Sequence, residues 1–249
     1  MKKLIALLVA LMMLGTVAAA LADTITVAFN PEYPPFEYVN GEEYEGYDVD
    51  MIKAIAEKAG FEIEFEAMEF DAVIAAVKTN PNTIGVSGIS ITEERMKNVD
   101  FSEGYINAGL IVIVKKDSGY ATVEDLKGKV IGVQMGTTSD FAAEEITGQA
   151  NVGEYKTFLN AIMDLQGNKI DAVIVDKPVG MAILAQLADD TLEIVDMGLQ
   201  ADWYGIEVNK ENPELLEKIN AALKELEAAG FYEELAVKYF SNEEEAKAE

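Results

Sequence analysis

Thr24-Ile25-Thr26-Val27-Ala28-Phe29 alternates polar and apolar residues at period two, the pattern of a half-buried strand. A helical stretch follows at 48–59, where Met51, Ile52, Ile55, Ala56 and Ala59 share one face, and Gly60 stands where a left-handed helix cap belongs. Residues 61–65 alternate again, 71–78 form a short helix stopped by Asn80-Pro81, and 84–87 complete a β-α-β-α-β unit. That stretch decides the fold class, because strands interleaved with amphipathic helices build an open α/β sheet.

Downstream the pattern restarts. Residues 110–114 are a continuous apolar strand, and Thr122 and Asp125 have capping-box spacing ahead of Leu126. Strands at 130–133, 170–175 and 192–195 then alternate with helices near 139–146, 158–165 and 178–187. Two successive α/β series predict two lobes. Residues 203–208 read as one more strand, Asn212-Pro213 as the cap and first residue of a helix running to 229, and 231–240 as a final helix. The charged tail 241–249 reads as a frayed, solvated end.

Residues 1–22 read as a cleavable export leader: Lys2 and Lys3, an apolar run over 4–14, Gly15, then small-residue cleavage sites at Ala18-Ala19-Ala20 and Ala20-Leu21-Ala22. The apolar run is shorter than the roughly 20 residues that span a bilayer. The chain carries 45 acidic and 19 basic residues, a formal net charge of −26, and loss of the leader removes two lysines and no acid. Such a surface repels nucleic acid and anionic lipid. With no cysteine there is neither a disulfide framework nor a thiol to lipidate, and with no histidine either, triads and zinc sets built on those residues are excluded. The composition predicts a soluble, unanchored protein outside the cytoplasm, and the expectation is a monomer with no cofactor and no metal; of enzyme chemistries, those using carboxylates are left.

Arg95 is the one arginine in this acidic chain and closes the run Gly88-Ile89-Ser90-Ile91-Thr92-Glu93-Glu94-Arg95. A loose surface ion pair would account for most arginines, but a guanidinium preceded by small and hydroxyl residues also suits bidentate capture of a carboxylate. Ligands of open α/β sheets bind beyond the carboxyl ends of strands. There the sequence places Asn30 and Tyr33, then Ser87 and Gly88 to Arg95, then Gln134 with Gly136-Thr137-Thr138-Ser139, then Asp176. The threonines can be plain helix caps or anion donors, and Asp176 can cap the next helix or face a ligand. With Arg95, Asp176 would match both ends of a zwitterion. Tyr33, Phe36 and Phe70 lie where aromatics wall a pocket, although core packing is the default for Phe36.

Taken in order, Tyr33-Pro34-Pro35-Phe36-Glu37-Tyr38, Gly46-Tyr47-Asp48-Val49-Asp50-Met51, the run ending at Arg95, Asp100-Phe101-Ser102, Gly136-Thr137-Thr138-Ser139, the segment 171–176 and Tyr204-Gly205-Ile206 resemble the family 3 extracellular solute-binding proteins of polar amino acid ABC transporters. The resemblance covers nearly the whole chain after the leader and is nearest to glutamine-, histidine- and basic-amino-acid-binding members. It implies a two-lobed periplasmic binding protein (type II), each lobe a mixed sheet flanked by helices. Lobe one would comprise 23–104 and 205–249, lobe two 110–199, and two hinge strands 105–109 and 200–204.

It further implies a periplasmic or extracellular receptor, not an enzyme, that closes on a free L-amino acid and delivers it to a membrane permease. Carried over by position, Arg95 would hold the α-carboxylate with help from Ser90 and Thr138, and Asp176 with Ser87 and Gly88 would hold the α-ammonium. Tyr33 and Phe70 would sandwich the aliphatic part, and Asn30, Gln134, Thr137 and Tyr204 would border the side chain. Asn30 stands where many relatives have aspartate and Gln134 where the glutamine-binding kind has lysine, which favours a neutral polar ligand. The stretch 79–83 also lacks the aspartate usual before the third strand. Two other readings are a carboxylate-using enzyme of dehydratase type, which needs a group such as Glu37 facing the ligand, and an extracellular sensor, which needs a membrane span.

Overall fold

The computed structural model describes residues 24–245, so the expected leader lies outside the described residues. The first half runs β1 (Thr24–Phe29), β2 (Glu32–Tyr33), β3 (Glu37–Asn40), β4 (Glu43–Glu45), α1 (Tyr47–Ala59), β5 (Glu62–Ala67), α2 (Phe70–Thr79), β6 (Thr83–Gly85), α3 (Glu93–Met96) and β7 (Asp100–Phe101). The second runs β8 (Ile106–Lys115), β9 (Ile131–Gln134), α4 (Thr138–Thr147), β10 (Val152–Tyr155), α5 (Phe158–Gln166), β11 (Ala172–Asp176), α6 (Lys177–Leu187) and β12 (Leu192–Val195). It returns through β13 (Ala201–Tyr204), β14 (Glu207–Val208), α7 (Pro213–Ala228) and α8 (Phe231–Glu245).

One mixed sheet has the order β5-β1-β6-β14-β7, with β1 parallel to both β5 and β6 and β14 antiparallel to its neighbours. The other has the order β10-β9-β11-β8-β12, parallel from β10 to β11 and antiparallel around β8. Helices α1 and α7 pack together beside the first sheet, and the apolar face of α1 (Met51, Ile52, Ile55, Ala56) is buried as its spacing predicts. Gly60 adopts φ 76°, and its N–H caps Ala56 O, the left-handed end a side chain would resist. In the second sheet β11 is buried along its whole length, as its continuous apolar run requires.

The differences from expectation have local causes. The single strand expected over 203–208 is two strands in two sheets. β13 pairs with β8, β14 pairs with β6 and β7, and the chain crosses between them at Gly205, whose N–H bonds Ile89 O. β8 begins at Ile106 rather than 110, because polar Asn107 and Gly109 interrupt the apolar pattern while the backbone keeps pairing with β13. The β2-β3-β4 meander has strands of two to four residues, too short for alternation to show. Val123–Leu126 is a 3-10 turn, with Asp125 accepting from the N–H and hydroxyl of Thr122. Helix α8 continues past 240 to Glu245, into the stretch expected to be frayed.

Candidate functional site

Strand ends and helix starts of both sheets meet in one narrow cavity of about 10 Å³, lined by Tyr33, Phe70, Gly88, Ser90 and Arg95 from one side and Thr137, Thr138 and Asp176 from the other. Arg95 is 5% exposed. Thr92 starts its helix by accepting the Arg95 N–H at 3.2 Å. The guanidinium donates through Nη1 to Ser90 O at 2.8 Å and through Nη2 to Gly136 O at 3.0 Å, so it bridges the two sheets. The Phe70 ring centroid lies 5.5 Å from its Cζ, so Phe70 backs the cation. Two of five N–H donors are engaged, and the fork retains donors for a carboxylate.

Asp176 occupies the N-cap position of α6, yet its side chain caps nothing. It accepts a hydrogen bond from the Tyr33 hydroxyl. The geometry thus separates the two sequence readings: the carboxylate is turned to the cavity rather than to the helix. Burial pushes it up to about 6, against the downward pull of the Tyr33 and Tyr204 hydroxyls and Arg95. The Tyr204 hydroxyl is 3.2 Å from that of Tyr33, which completes a buried polar chain. Gly88 has φ +56°, and a Cβ there would sit 2.6 Å from Tyr33 Cε1, so only glycine brings the backbone this close to the tyrosine ring.

Thr137 caps α4: its hydroxyl accepts from Asp140 N–H at 3.3 Å and donates to Gln134 O at 2.8 Å. The Gly136 N–H is taken by Asp140 at 3.0 Å, so that one donor is used within the helix start. Thr138 reaches across to Ser90, hydroxyl to hydroxyl, at 3.4 Å.

Ser87, Asn30, Gln134 and Tyr204 surround this cavity without lining it. The Ser87 hydroxyl accepts from Asn30 N–H at 3.0 Å and donates to Glu37 at 2.7 Å, away from the cavity. Gln134 Nε2 donates to Asn30 Oδ1 at 3.0 Å, joining the sheets with a neutral pair, and to Lys156 O at 2.7 Å. Lys156 in turn pairs with Glu69 at 2.8 Å across the same gap.

Three buried carboxyls close to the site were not singled out as site residues from the sequence. Glu207 is fully buried with neither oxygen hydrogen-bonded among the described residues; burial raises it to about 7, and Arg95 pulls it down. Its signal was present: an acid inside Ile206-Glu207-Val208 interrupts an apolar strand. Glu37 and Asp48 lie behind Ser87 and Gly88, and no spacing links them.

The model of the bacterial extracellular solute-binding proteins, family 3, matches residues 25–242. An arginine-binding extracellular protein, ArtP, of Bacillus subtilis (strain 168) is 34% identical over 215 residues, 85% of this chain and 84% of that one. A solved ancestral arginine-binding protein bound to arginine superposes with a TM-score of 0.83 at 38% identity, covering 88% of this chain and 99% of that chain. An ancestral arginine-binding protein bound to glutamine gives 0.81 at 38% identity over 87% of this chain and 97% of that one. The fold shared over these lengths is the two-lobed α/β architecture of type II periplasmic binding proteins.

Proposed function

Because this chain belongs to the bacterial extracellular solute-binding proteins, family 3, we propose that its cavity takes one free L-amino acid by lobe closure and delivers it to the permease of an ABC importer. One observation carries the reading: a buried guanidinium and a buried carboxylate, Arg95 and Asp176, line one cavity from opposite sheets. They suit the α-carboxylate and α-ammonium, with Ser90 and Thr138 beside the former and the Ser87-Gly88 backbone beside the latter. Tyr33 and Phe70 flank the aliphatic part, and Asn30, Gln134, Thr137 and Tyr204 border the rest.

We assign residues 23–104 and 205–249 to one lobe, 110–199 to the other, and 105–109 and 200–204 to the hinge. Support comes from the pairing of Ile106 with Tyr204 through Gly109 with Ala201, the two crossing strands side by side. The protein acts as a monomer, exported by a cleaved leader and not lipid-anchored. Its acidity, −26 overall, speaks against a nucleic-acid partner. It binds rather than catalyses: the Glu37 carboxyl that a dehydratase-type reaction would need is fully buried behind Ser87. No helix among the described residues is long and apolar enough to cross a membrane, the span a sensor would use.

The neutral Asn30–Gln134 pair beside the cavity favours a neutral polar amino acid such as glutamine. Arginine is the second reading, favoured by the names of the relatives. A thermal-shift panel of the twenty amino acids tests both. A ligand at about 100 times its Kd adds about 2.7 kcal/mol, a rise of roughly 5 to 10 °C for a chain of this size. The largest shift is expected with a neutral polar amino acid; a largest shift with arginine selects the second reading, and no shift with any of the twenty removes the ligand class.

A further inference from the structure

Glu37, at the start of β3, and Asp48, in the first turn of α1, are 0% and 1% exposed. Each spends one oxygen on the segment behind the cavity. Ser87 Oγ donates to Glu37 Oε1 at 2.7 Å, and Asp48 Oδ2 accepts from Gly88 N–H at 2.8 Å and from the Tyr105 hydroxyl at 2.7 Å. The other two oxygens, Glu37 Oε2 and Asp48 Oδ1, are buried and receive no donor from the described residues. The two carboxyls bond consecutive residues, Ser87 and Gly88, which makes them neighbours, and no lysine or arginine among the described residues forms an ion pair with either.

Two adjacent carboxylates in a buried site cannot readily both stay ionised without a cation. A single proton between them removes the repulsion and gives both orphan oxygens a partner. We infer that Glu37 and Asp48 share one proton, and that this acid–carboxylate pair is the positioning device that holds the Ser87-Gly88 segment, the proposed ammonium contact, against Tyr105 at the hinge. The inference rests on the amino-acid site proposed above for its functional consequence, but the pair itself stands on the burial of both carboxyls, their orphan oxygens and their bonds to consecutive residues.

The titratable groups facing the pair are phenols. Tyr105 donates to it, Tyr47 stacks on Tyr105 with centroids 6.3 Å apart, and Tyr33 lies on the cavity side of Gly88. Asp50, the other acid in the first turn of α1, is directed elsewhere, to Lys238 and Tyr239. Burial and the neighbouring carboxyl both raise Glu37 well above the usual carboxylate range, and burial raises Asp48. When rising pH removes the shared proton, two negative charges face each other behind Gly88, the segment moves, and amino-acid affinity falls.

Glu37→Gln separates this role from a merely structural one. Its amide oxygen can still accept from Ser87, while its N–H₂ replaces the mobile proton with a permanent donor to Asp48. Calorimetric Kd values of the full chain, for the amino acid giving the largest thermal shift, are compared between wild type and E37Q from about pH 6.5 to about pH 9. The wild-type to E37Q ratio of Kd is expected to rise about tenfold, the effect of one pKa unit. Ionisation of the ligand and of Asp176 cancels in that ratio.

Parallel profiles would overturn the inference. Should E37Q fold poorly, Asp48→Asn makes the same comparison, and carboxyl-carbon NMR titration of the wild type decides the matter alone. One of the two carbons is expected to titrate far above the usual range, and two ordinary titrations sink the shared proton. If no amino acid binds the wild type, the proposed function fails, and the NMR titration still decides the pair.

Discussion

Arg95 joins the two sheets at the proposed site. Its guanidinium spans the two sheets through Ser90 O and Gly136 O and is backed by Phe70. Arg95→Lys keeps the charge but replaces a planar fork with a single ammonium that cannot address two carboxylate oxygens and a carbonyl together. We expect amino-acid affinity to drop about tenfold or more, roughly 1.4 kcal/mol, in calorimetric titration. Unchanged affinity in R95K would show that the carboxylate is held elsewhere. Arg95 was legible in the sequence because it is the one arginine at a predicted strand-to-helix corner. Glu37 and Asp48 were not legible as partners, because only the β3–α1 turn brings their carboxyls together behind Ser87 and Gly88.

At the scale of elements, Asn209 ties the end of α2 to the segment that follows β14. It is 4% exposed; its Nδ2 donates to Val77 O at 2.7 Å and Lys78 O at 2.9 Å, and its Oδ1 accepts from Glu211 N–H at 2.8 Å. Those carbonyls belong to the last turn of α2, where no further helical N–H is available. Asn209→Ala therefore leaves buried acceptors unpaired and should cost about 1 to 3 kcal/mol. Urea unfolding should show a lower midpoint with an unchanged slope; an unchanged midpoint would mean water replaces the side chain without loss.

Elements with a strong period were readable in advance. The amphipathic face of α1 and the apolar runs of β8 and β11 all appear within a few residues of where the pattern puts them. The short strands β2 to β4 and the split of β13 from β14 were not, because pairing with distant partners, rather than local alternation, makes them strands.

For the whole molecule, the buried acids set the response to pH. Asp176 is raised to about 6 and Glu207 to about 7, both by burial first. Each folded value lies above the unfolded one near 4, so the stability they contribute is fully present below about pH 4 and is lost as pH rises through 6 to 7. Asp50, Asp164 and Asp189 are lowered and act the other way, their contribution disappearing as pH falls below the usual carboxylate range. Self-repulsion in a chain of net charge −26 also grows as more acids ionise. Calorimetry without added amino acid should therefore give a higher Tm at about pH 5 than at about pH 8, and Glu207→Gln should shrink the difference. A higher Tm at the alkaline end would refute the upward shift of Asp176 and Glu207.

On the proposed hinge at 105–109, the run of β8 into the second sheet gives the two halves of the proposed site unequal lever arms. Asp176 is paired with Leu110, one strand spacing from β8, about 4.8 Å, whereas the Gly136 to Thr138 corner follows β9, about two spacings away. A turn of the second lobe about β8 would sweep the threonine corner roughly twice as far as Asp176. The carboxylate nearer that pivot would then stay closer to the Tyr33 side, and the corner beside Arg95 would travel further. An incoming amino acid would be caught first by its ammonium and latched afterwards at its carboxylate, with the far corner as a latch whose opening would set the dwell time of the cargo.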